Sequence, residues 1–207
     1  MELEKRLLCL EKVLSTLPDH KGWMIGKCRF TLAKNAGDNG AYMLEILREN
    51  QHLSEVRIQS GENGDRLDVT LIKPAKKQKK LPGQPESAEG RQEEKKKIGE
   101  ETKMAEELPR QQEFLITREE TDTYLEVSGD QNPIHRGEHA IAPGFLMANR
   151  IIRMFEMPET VQVRFLAPLP VGESADLIIW EKSGREQTAE VQKENAKILK
   201  IQILEEE

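Results

Sequence analysis

Tyr124 to Gly144, reading YLEVSGDQNPIHRGEHAIAPG, is the stretch from which the organisation of this 207-residue chain follows. It places an acid, an amide and an imidazole, Asp130, Asn132 and His135, in one segment rich in turn-forming residues. A Pro-Gly pair then opens the apolar run GFLMANRIIRMFEM, which predicts a helix from Gly144 to Met157. A polar cluster in front of an apolar helix indicates a segment that carries chemistry.

Regular structure is predicted on both sides of this stretch. Thr117 and Glu120 have the spacing of a capping box, which predicts a helix that turns Tyr124, Leu125 and Val127 toward the core. After the apolar helix, β-rich runs separated by turn residues predict four strands. They are expected at Thr160–Leu166, Ala175–Glu181, Gln187–Gln192 and Ile198–Leu204.

The N-terminal part has the same order of elements. An amphipathic helix is predicted over residues 2 to 17, followed by strands at Gly22–Leu32, Ala41–Leu47, Leu53–Gln59 and Arg66–Lys73. The pair Arg29-Phe30 with Gly37 recurs as Arg164-Phe165 with Gly172 at the same separation. One interpretation is a single fold repeated twice, and the other is coincidence between two short patterns of a helix and strands.

Between the two parts, residues 76 to 112 contain almost no large apolar side chains, so we expect a charged linker without a core. This divides the chain into a first domain, 1 to 75, and a second domain, 113 to 207. The first domain has no counterpart of the segment from Phe114 to Pro143. Only the second domain is therefore expected to be catalytic.

Composition narrows the classes of function. The net charge of -6 gives nucleic acid no reason to bind, and no apolar run is long enough to cross a membrane. The charged N-terminus does not resemble a signal peptide, so a cytoplasmic protein is expected. Cys9 and Cys28 have no metal-ligand spacing and are interpreted as free thiols, and neither a metal nor a cofactor is expected.

The residues of the segment allow two readings. Asp130 and Asn132 are ordinary turn formers that can simply hydrogen-bond their own backbone. His135, five residues after Asp130, favours chemistry, because an acid and an imidazole can hold a water between them. Pro143 and Gly144 begin a helix, whose free N–H groups can stabilise an oxyanion.

YLEVSGDQNPIH, followed by IAPGFLMA and later RFLAPLPVGES, resembles the MaoC-like hydratases and dehydratases. The resemblance implies an α+β hotdog fold, an antiparallel sheet around a central helix, here as a double hotdog with an incomplete first copy. It implies that Asp130 and His135 activate a water that adds to a trans-2-enoyl thioester, giving an (R)-3-hydroxyacyl thioester of CoA or acyl carrier protein. Asn132 would fix the turn and the water, and the N–H of Gly144 would bind the thioester oxygen.

Other readings stay open. Among hotdog enzymes, the alternative activity is that of a thioesterase. If the protein is not an enzyme, it would be a catalytically silent subunit that binds acyl thioesters or takes part in an assembly. A homodimer is also among the expected states. Arg150 and Arg153 either meet carrier phosphates or pair with acids such as Glu156 or Glu159. His139 is expected to face solvent. Trp23 and Trp180 are expected to be packing anchors in strands.

Overall fold

The computed structural model describes residues 3–17, 22–34, 41–73, 109–155, 158–181 and 186–204. These residues form three α-helices, one short 3-10 helix and nine strands. In chain order the elements are α1 (Leu3–Ser15), β1 (Met24–Thr31), β2 (Tyr42–Glu49), β3 (Leu53–Ser60), β4 (Arg66–Ile72), β5 (Arg110–Leu115), α2 (Arg118–Ser128), the 3-10 helix (Pro133–His135), α3 (Gly144–Ile152), β6 (Thr160–Phe165), β7 (Ser174–Glu181), β8 (Glu186–Lys193) and β9 (Ala196–Leu204).

All nine strands belong to one antiparallel sheet with the order β2-β3-β4-β1-β6-β9-β8-β7-β5. At its centre β1 pairs with β6, in register from Lys27 opposite Arg164 to Thr31 opposite Thr160. We call this pairing the seam. It divides the sheet into a first half, residues 3–73 with four strands, and a second half, residues 109–204 with five strands.

The two halves have the same connectivity outward from the seam. The first half runs β1, β4, β3, β2, and the second runs β6, β9, β8, β7, so each first strand is followed in space by its fourth, third and second. The predicted pattern of a helix followed by four strands is present in both. β5 and α2 are additional to the second half, and Gly37 of the proposed repeat lies outside the described residues. The division into 1–75, 76–112 and 113–207 as domains stays a prediction.

Two predicted boundaries differ from the structure by more than two residues. The apolar helix ends at Ile152 and not at Met157, because the N–H groups of Met154 and Phe155 bond to carbonyls three residues back and close a tight turn. β5 begins at Arg110, inside the predicted linker. Its first residues look like linker because β5 is an edge strand whose first four side chains are exposed.

The helices pack on one face of the sheet, which we call the inner face. Phe145 of α3 makes edge contacts with Phe30 of β1 and Phe165 of β6, at centroid distances of 5.9 and 6.2 Å. Leu7 and Leu10 of α1 are fully buried in the same core. Both sides of the seam therefore share one hydrophobic core. Among the described residues, no helix is long and apolar enough to span a membrane.

A buried ion pair fastens α1 to the first half of the sheet. Nε of Arg6 donates to Oδ2 of Asp65 at 2.8 Å, its second guanidinium contact is to Oδ1, and both residues are more than nine-tenths buried. Oδ1 of Asp65 also accepts from the N–H of Ala33 at 3.0 Å. The pair ties the helix, the residues after β1 and the β3–β4 turn together.

Candidate active site

The segment that carries the site leaves the C-terminus of α2. The predicted capping box is confirmed: Oγ1 of Thr117 accepts from the N–H of Glu120 at 3.1 Å, and the Glu120 carboxylate accepts from the N–H of Thr117 at 2.8 Å. α2 ends at Ser128, and its C-cap Gly129, with a φ of +74°, turns the chain into Asp130. Leu125 is buried as expected.

The prediction for Val127 was wrong, since 43% of it is exposed. The buried stripe of α2 instead consists of Thr121, Leu125 and Ser128, which share one helix face at spacings of four and three residues.

Asp130 and His135 face each other. Nε2 of His135 lies 3.5 Å from Oδ2 of Asp130, which is longer than a normal N–H···O bond. Nδ1 of His135 lies 2.7 Å from the carbonyl oxygen of Ile141. Because a carbonyl only accepts, Nδ1 carries a hydrogen. When Nε2 carries none, Nε2 and Oδ2 of Asp130 are two acceptors that face each other, an arrangement that suits a water donating to both.

The position of the Asp130 carboxylate is set by its own turn. Oδ1 accepts from the N–H of Asn132 at 2.7 Å, which leaves Oδ2 for the side facing His135. The guanidinium of Arg136 donates to the carbonyl of Asp130 at 3.0 Å. His135 is almost fully buried, whereas the Asp130 side chain is 28% exposed. The acid therefore lies at the wetter end of the pair.

Asn132 links the segment to the first half. Its Nδ2 donates to the carbonyl of Trp23 at 3.0 Å, and its Oδ1 accepts from the N–H of Ile134 at 3.4 Å, capping the 3-10 helix. The amide therefore holds the turn that presents His135. The contact with a catalytic water expected for Asn132 stays a prediction.

Gly144 is the first residue of α3, so its N–H is one of those that the helix does not use internally. A Cβ at this position would lie 2.7 Å from the Phe165 ring. The missing side chain is therefore explained by the close packing of α3 on β6, as well as by the space that a ligand needs. The oxyanion role of its N–H stays a prediction.

All four predicted site residues, Asp130, Asn132, His135 and Gly144, line one cavity of about 310 Å³. Its remaining wall is largely apolar, and part of that wall comes from the first half. The contributing residues of the first half are Trp23, Met24, Ile25, Gly26 and Ile72. Trp23 precedes β1 and is 8% exposed, so the packing interpretation holds, but its place in the cavity wall was missed.

Sequence reasoning also missed Glu11. This residue of α1 is 3% exposed, and its carboxyl accepts from Nδ2 of Asn149 at 2.8 Å and from the hydroxyl of Tyr124 at 3.0 Å. Burial raises the pKa of Glu11 to about 8, and burial also raises that of Tyr124. Glu11 and Asp130 both line a further cavity of about 190 Å³.

A signal for Glu11 was present in the sequence. Leu7, Leu10, Glu11 and Leu14 have the spacing i, i+3, i+4, i+7 of one helix face, so the acid lies within the apolar stripe.

The remaining candidates have structural surroundings. Arg150 donates to the carbonyl of Leu115 at 2.5 Å and pairs with Glu120 at 3.1 Å, and Arg153 pairs with Glu4 at 3.1 Å. The ion-pair reading of both arginines is supported, with different acids from those expected, and Glu156 lies outside the described residues. His139 is exposed as predicted.

Both cysteines are free thiols, Cys28 buried and Cys9 half-buried. Within the described ranges, no group of three or more potential metal-binding side chains comes together.

The chain was compared with protein-family models, curated protein sequences and solved structures. No protein-family model and no curated protein sequence matches the chain. Solved structures do match. The match to HtdX of Mycobacterium tuberculosis has 15% sequence identity and a TM-score of 0.63, and it covers 97% of this chain and 85% of HtdX. A MaoC-like dehydratase of Phytophthora capsici matches at 15% identity, 92% and 74% coverage and a TM-score of 0.56.

The acyl-CoA thioesterase II TesB2 of Mycobacterium marinum matches at 6% identity, 95% and 85% coverage and a TM-score of 0.52. This chain has the hotdog fold. The predicted α+β hotdog class is thereby confirmed. That the hotdog is double, with an incomplete first copy, stays a prediction. Both a dehydratase and a thioesterase share the fold, so the activity must be argued from the cavity.

Proposed function

We propose that this protein is a MaoC-like enzyme that hydrates trans-2-enoyl thioesters and dehydrates (R)-3-hydroxyacyl thioesters carried by CoA or acyl carrier protein. The observation that carries the proposal is the pair of opposed acceptors, Nε2 of His135 and Oδ2 of Asp130, 3.5 Å apart in the same cavity as the N-terminus of α3. The sequence resemblance around this pair and the hotdog fold support it.

In the proposed hydration, Asp130 and His135 position and deprotonate the water, and the N-terminus of α3 binds the thioester oxygen. A water donates one hydrogen to Asp130 and one to His135, so its oxygen lone pair is directed away from both and toward C3 of the enoyl group. As the oxygen bonds to C3, the pair removes one proton from the water, and the electrons of the C2–C3 double bond move toward the thioester carbonyl. C2 then gains the proton that the pair removed.

The N-terminus of α3 would stabilise the enolate-like oxygen. The N–H of Gly144 and the positive end of the helix dipole favour negative charge at that point, an effect typically worth about 3 kcal/mol per hydrogen-bond donor in a transition state. The largely apolar wall lowers the local dielectric constant and so strengthens these interactions.

The direct test is turnover. The full chain is incubated with short, medium and long trans-2-enoyl-CoA substrates and their carrier-protein counterparts, following loss of the enone absorbance. We expect hydration that falls roughly 10²-fold to 10⁴-fold in Asp130→Asn and in His135→Ala. The matched controls are Asp122→Asn and His139→Ala, exposed residues of the same types on α2 and in the loop after His135, which should keep wild-type rates. Wild-type protein inactive on every chain length and both carriers would exclude the proposal.

A thioesterase is the second candidate, because a solved thioesterase shares the fold and a carboxylate can direct water at the thioester carbonyl. Hydration is favoured by the second acceptor, since a water held by two groups has its nucleophilic oxygen fixed in direction. A thiol reagent added to the same assay separates the two: free thiol appears only when the thioester is hydrolysed.

A further inference from the structure

The face of the sheet opposite the helices, which we call the outer face, carries an unusual row of charge across the seam. Lys200 of β9 lies opposite Arg164 of β6, and Arg164 lies opposite Lys27 of β1. We call these three residues the cation row. Like charges directly opposite each other on neighbouring strands are destabilising. A row of three on adjacent strands therefore calls for an explanation.

Nearby carboxylates neutralise only part of this charge. Lys200 lies 3.2 Å from the carboxylate of Glu190. Arg29 lies opposite Asp68, but the Asp68 carboxylate is already bound by two other arginines, Arg57 at 2.7 Å and Arg66 at 2.6 Å. Within the described ranges, Lys27, Arg29 and Arg164 contact no carboxylate, and all three are exposed.

Part of the lining of the active-site cavity is exposed at the strand ends beside this charge. Three of its lining residues, Met24, Ile72 and Leu166, are 41 to 53% exposed, and Met24 lies opposite Ile72. Leu166 is two residues beyond Arg164, and same-side neighbours along a strand are about 7 Å apart. An apolar mouth thus lies next to the exposed cations.

Backbone irregularity marks the same place. The register of β1 shifts between Ile25 and Lys27, which leaves Gly26 as a bulge next to Lys27. A Cβ on Gly26 would lie 2.4 Å from the end of the Ile72 side chain, so the glycine makes room for this residue of the cavity lining. Strand β1 therefore contributes both cavity lining and a charge within four residues.

We propose that Lys27 and Arg164 bind a phosphate ester of the substrate carrier while the pantetheine arm passes between Met24 and Leu166 into the cavity. This inference rests on the proposed function. The chemistry required is an anionic phosphate ester at the end of a narrow, mostly uncharged arm, which CoA and acyl carrier protein share. Arginine offers a two-pronged donor to phosphate and lysine a point charge, and the binding of an anion relieves their mutual repulsion.

The test measures binding and does not require turnover. Saturated acyl thioesters, which cannot be hydrated, are titrated into the full chain by calorimetry in three forms: pantetheine, 4'-phosphopantetheine and CoA. We expect the phosphopantetheine form to bind at least about tenfold more tightly than the pantetheine form, and added salt to erase the difference. Lys27→Gln and Arg164→Gln should each remove most of that difference and leave pantetheine binding unchanged.

Arg48→Gln is the matched control. Arg48 lies in the same cross-strand row and on the same face, three strands from Lys27 through Glu55 and Thr70. Its loss removes one exposed positive charge and should leave all three affinities unchanged. The control separates a local phosphate contact from a general effect of net charge.

Three outcomes overturn the assignment. The first is equal affinity of the wild type for the pantetheine and phosphopantetheine forms, and the second is an equal loss of affinity for both forms in the variants. The third is an affinity that depends on Lys27 and Arg164 for the CoA form alone. The last would assign the contact to the nucleotide phosphates. Phosphate-dependent binding without hydration would uphold this inference and reject the proposed reaction, so the two fail separately.

Discussion

The two halves of the sheet share a strand order, but they contribute differently to the cavity. The second half adds β5, α2 and the turn of Asp130 and His135, whereas the first half has no such segment in its described residues and contributes apolar wall around Trp23. The halves meet at the seam and at the hydrogen bond from Asn132 to the Trp23 carbonyl. The difference teaches that a half without candidate catalytic side chains in its described residues still supplies part of the cavity wall.

The largest effect is expected from destabilising the first half, which tests whether the cavity needs it. Asp65→Asn leaves the buried guanidinium of Arg6 without its counter-charge, which we expect to lower the free energy of unfolding by about 3 to 5 kcal/mol. Urea unfolding followed by circular dichroism measures it. Asp68→Asn, which removes a partly exposed ion-pair partner of the same sheet, should cost much less. Equal losses in the two variants would show that the buried pair does not fasten α1.

Glu11 provides a second test of how the two halves depend on each other, because it is a buried acid of the first half that contacts α2 and α3 of the second half. Its pKa is raised to about 8 when folded against an ordinary value of 4.5, so only the folded state keeps the proton between these values. Its contribution to stability is greatest below the lower value, falls as pH rises and levels off above about pH 8. Glu11→Gln should therefore become more stable than wild type at pH 8, on the order of a few kcal/mol.

Thermal melts of wild type and Glu11→Gln across this pH range measure the change. The control is Glu4→Gln, an exposed acid in the first turn of the same helix, which should leave the pH profile of the melting temperature unaltered. A wild-type profile that does not fall toward alkaline pH would contradict the assignment of a buried, protonated Glu11.

Gly144→Ala probes the second half alone. The new methyl group would lie 2.7 Å from the Phe165 ring and must push either the ring or the start of α3 away, so we expect kcat/KM for hydration to fall roughly 10-fold to 100-fold. Adding Phe165→Leu should restore part of the rate, since the ring is what the methyl group meets. No recovery in the double variant would mean that the methyl group blocks substrate directly.

The smallest expected effect comes from cutting the link between the halves. Asn132→Ala removes the bond to the Trp23 carbonyl and the cap of the 3-10 helix, which should cost about 1 to 2 kcal/mol of stability. Asn63→Ala, at an exposed turn position, is the control. A loss of hydration as large as in Asp130→Asn would instead indicate that Asn132 acts on the substrate or the water.

Much of the fold was readable from the sequence because its signals are local. The capping box of Thr117 and Glu120, the alternation within strands and the helix-to-strand order need only neighbouring residues. The segment from Asp130 to Gly144 could likewise be singled out by residue type alone. β5 was not predicted, because an edge strand with exposed polar side chains has the composition of a linker.

What could not be read depends on contacts between distant residues. Glu11 looks like a solvent-facing acid of a charged helix until α2 and α3 are placed against it, although its position within the leucine stripe pointed inward. The role of Trp23 in the cavity follows from the seam, which no local pattern encodes. The acids that pair with Arg150 and Arg153 were misjudged for the same reason, since Glu120 and Glu4 are remote in sequence.

The seam also determines how the cavity responds when the protein is diluted. Five residue pairs join β1 to β6, and both strands belong to one chain, so their encounter is intramolecular. The effective concentration of one half around the other is then fixed by the covalent connection and does not change with the amount of protein. A wall contributed by a separate molecule would be lost below its dissociation constant. The wall around Trp23 stays in place even when the protein is scarce.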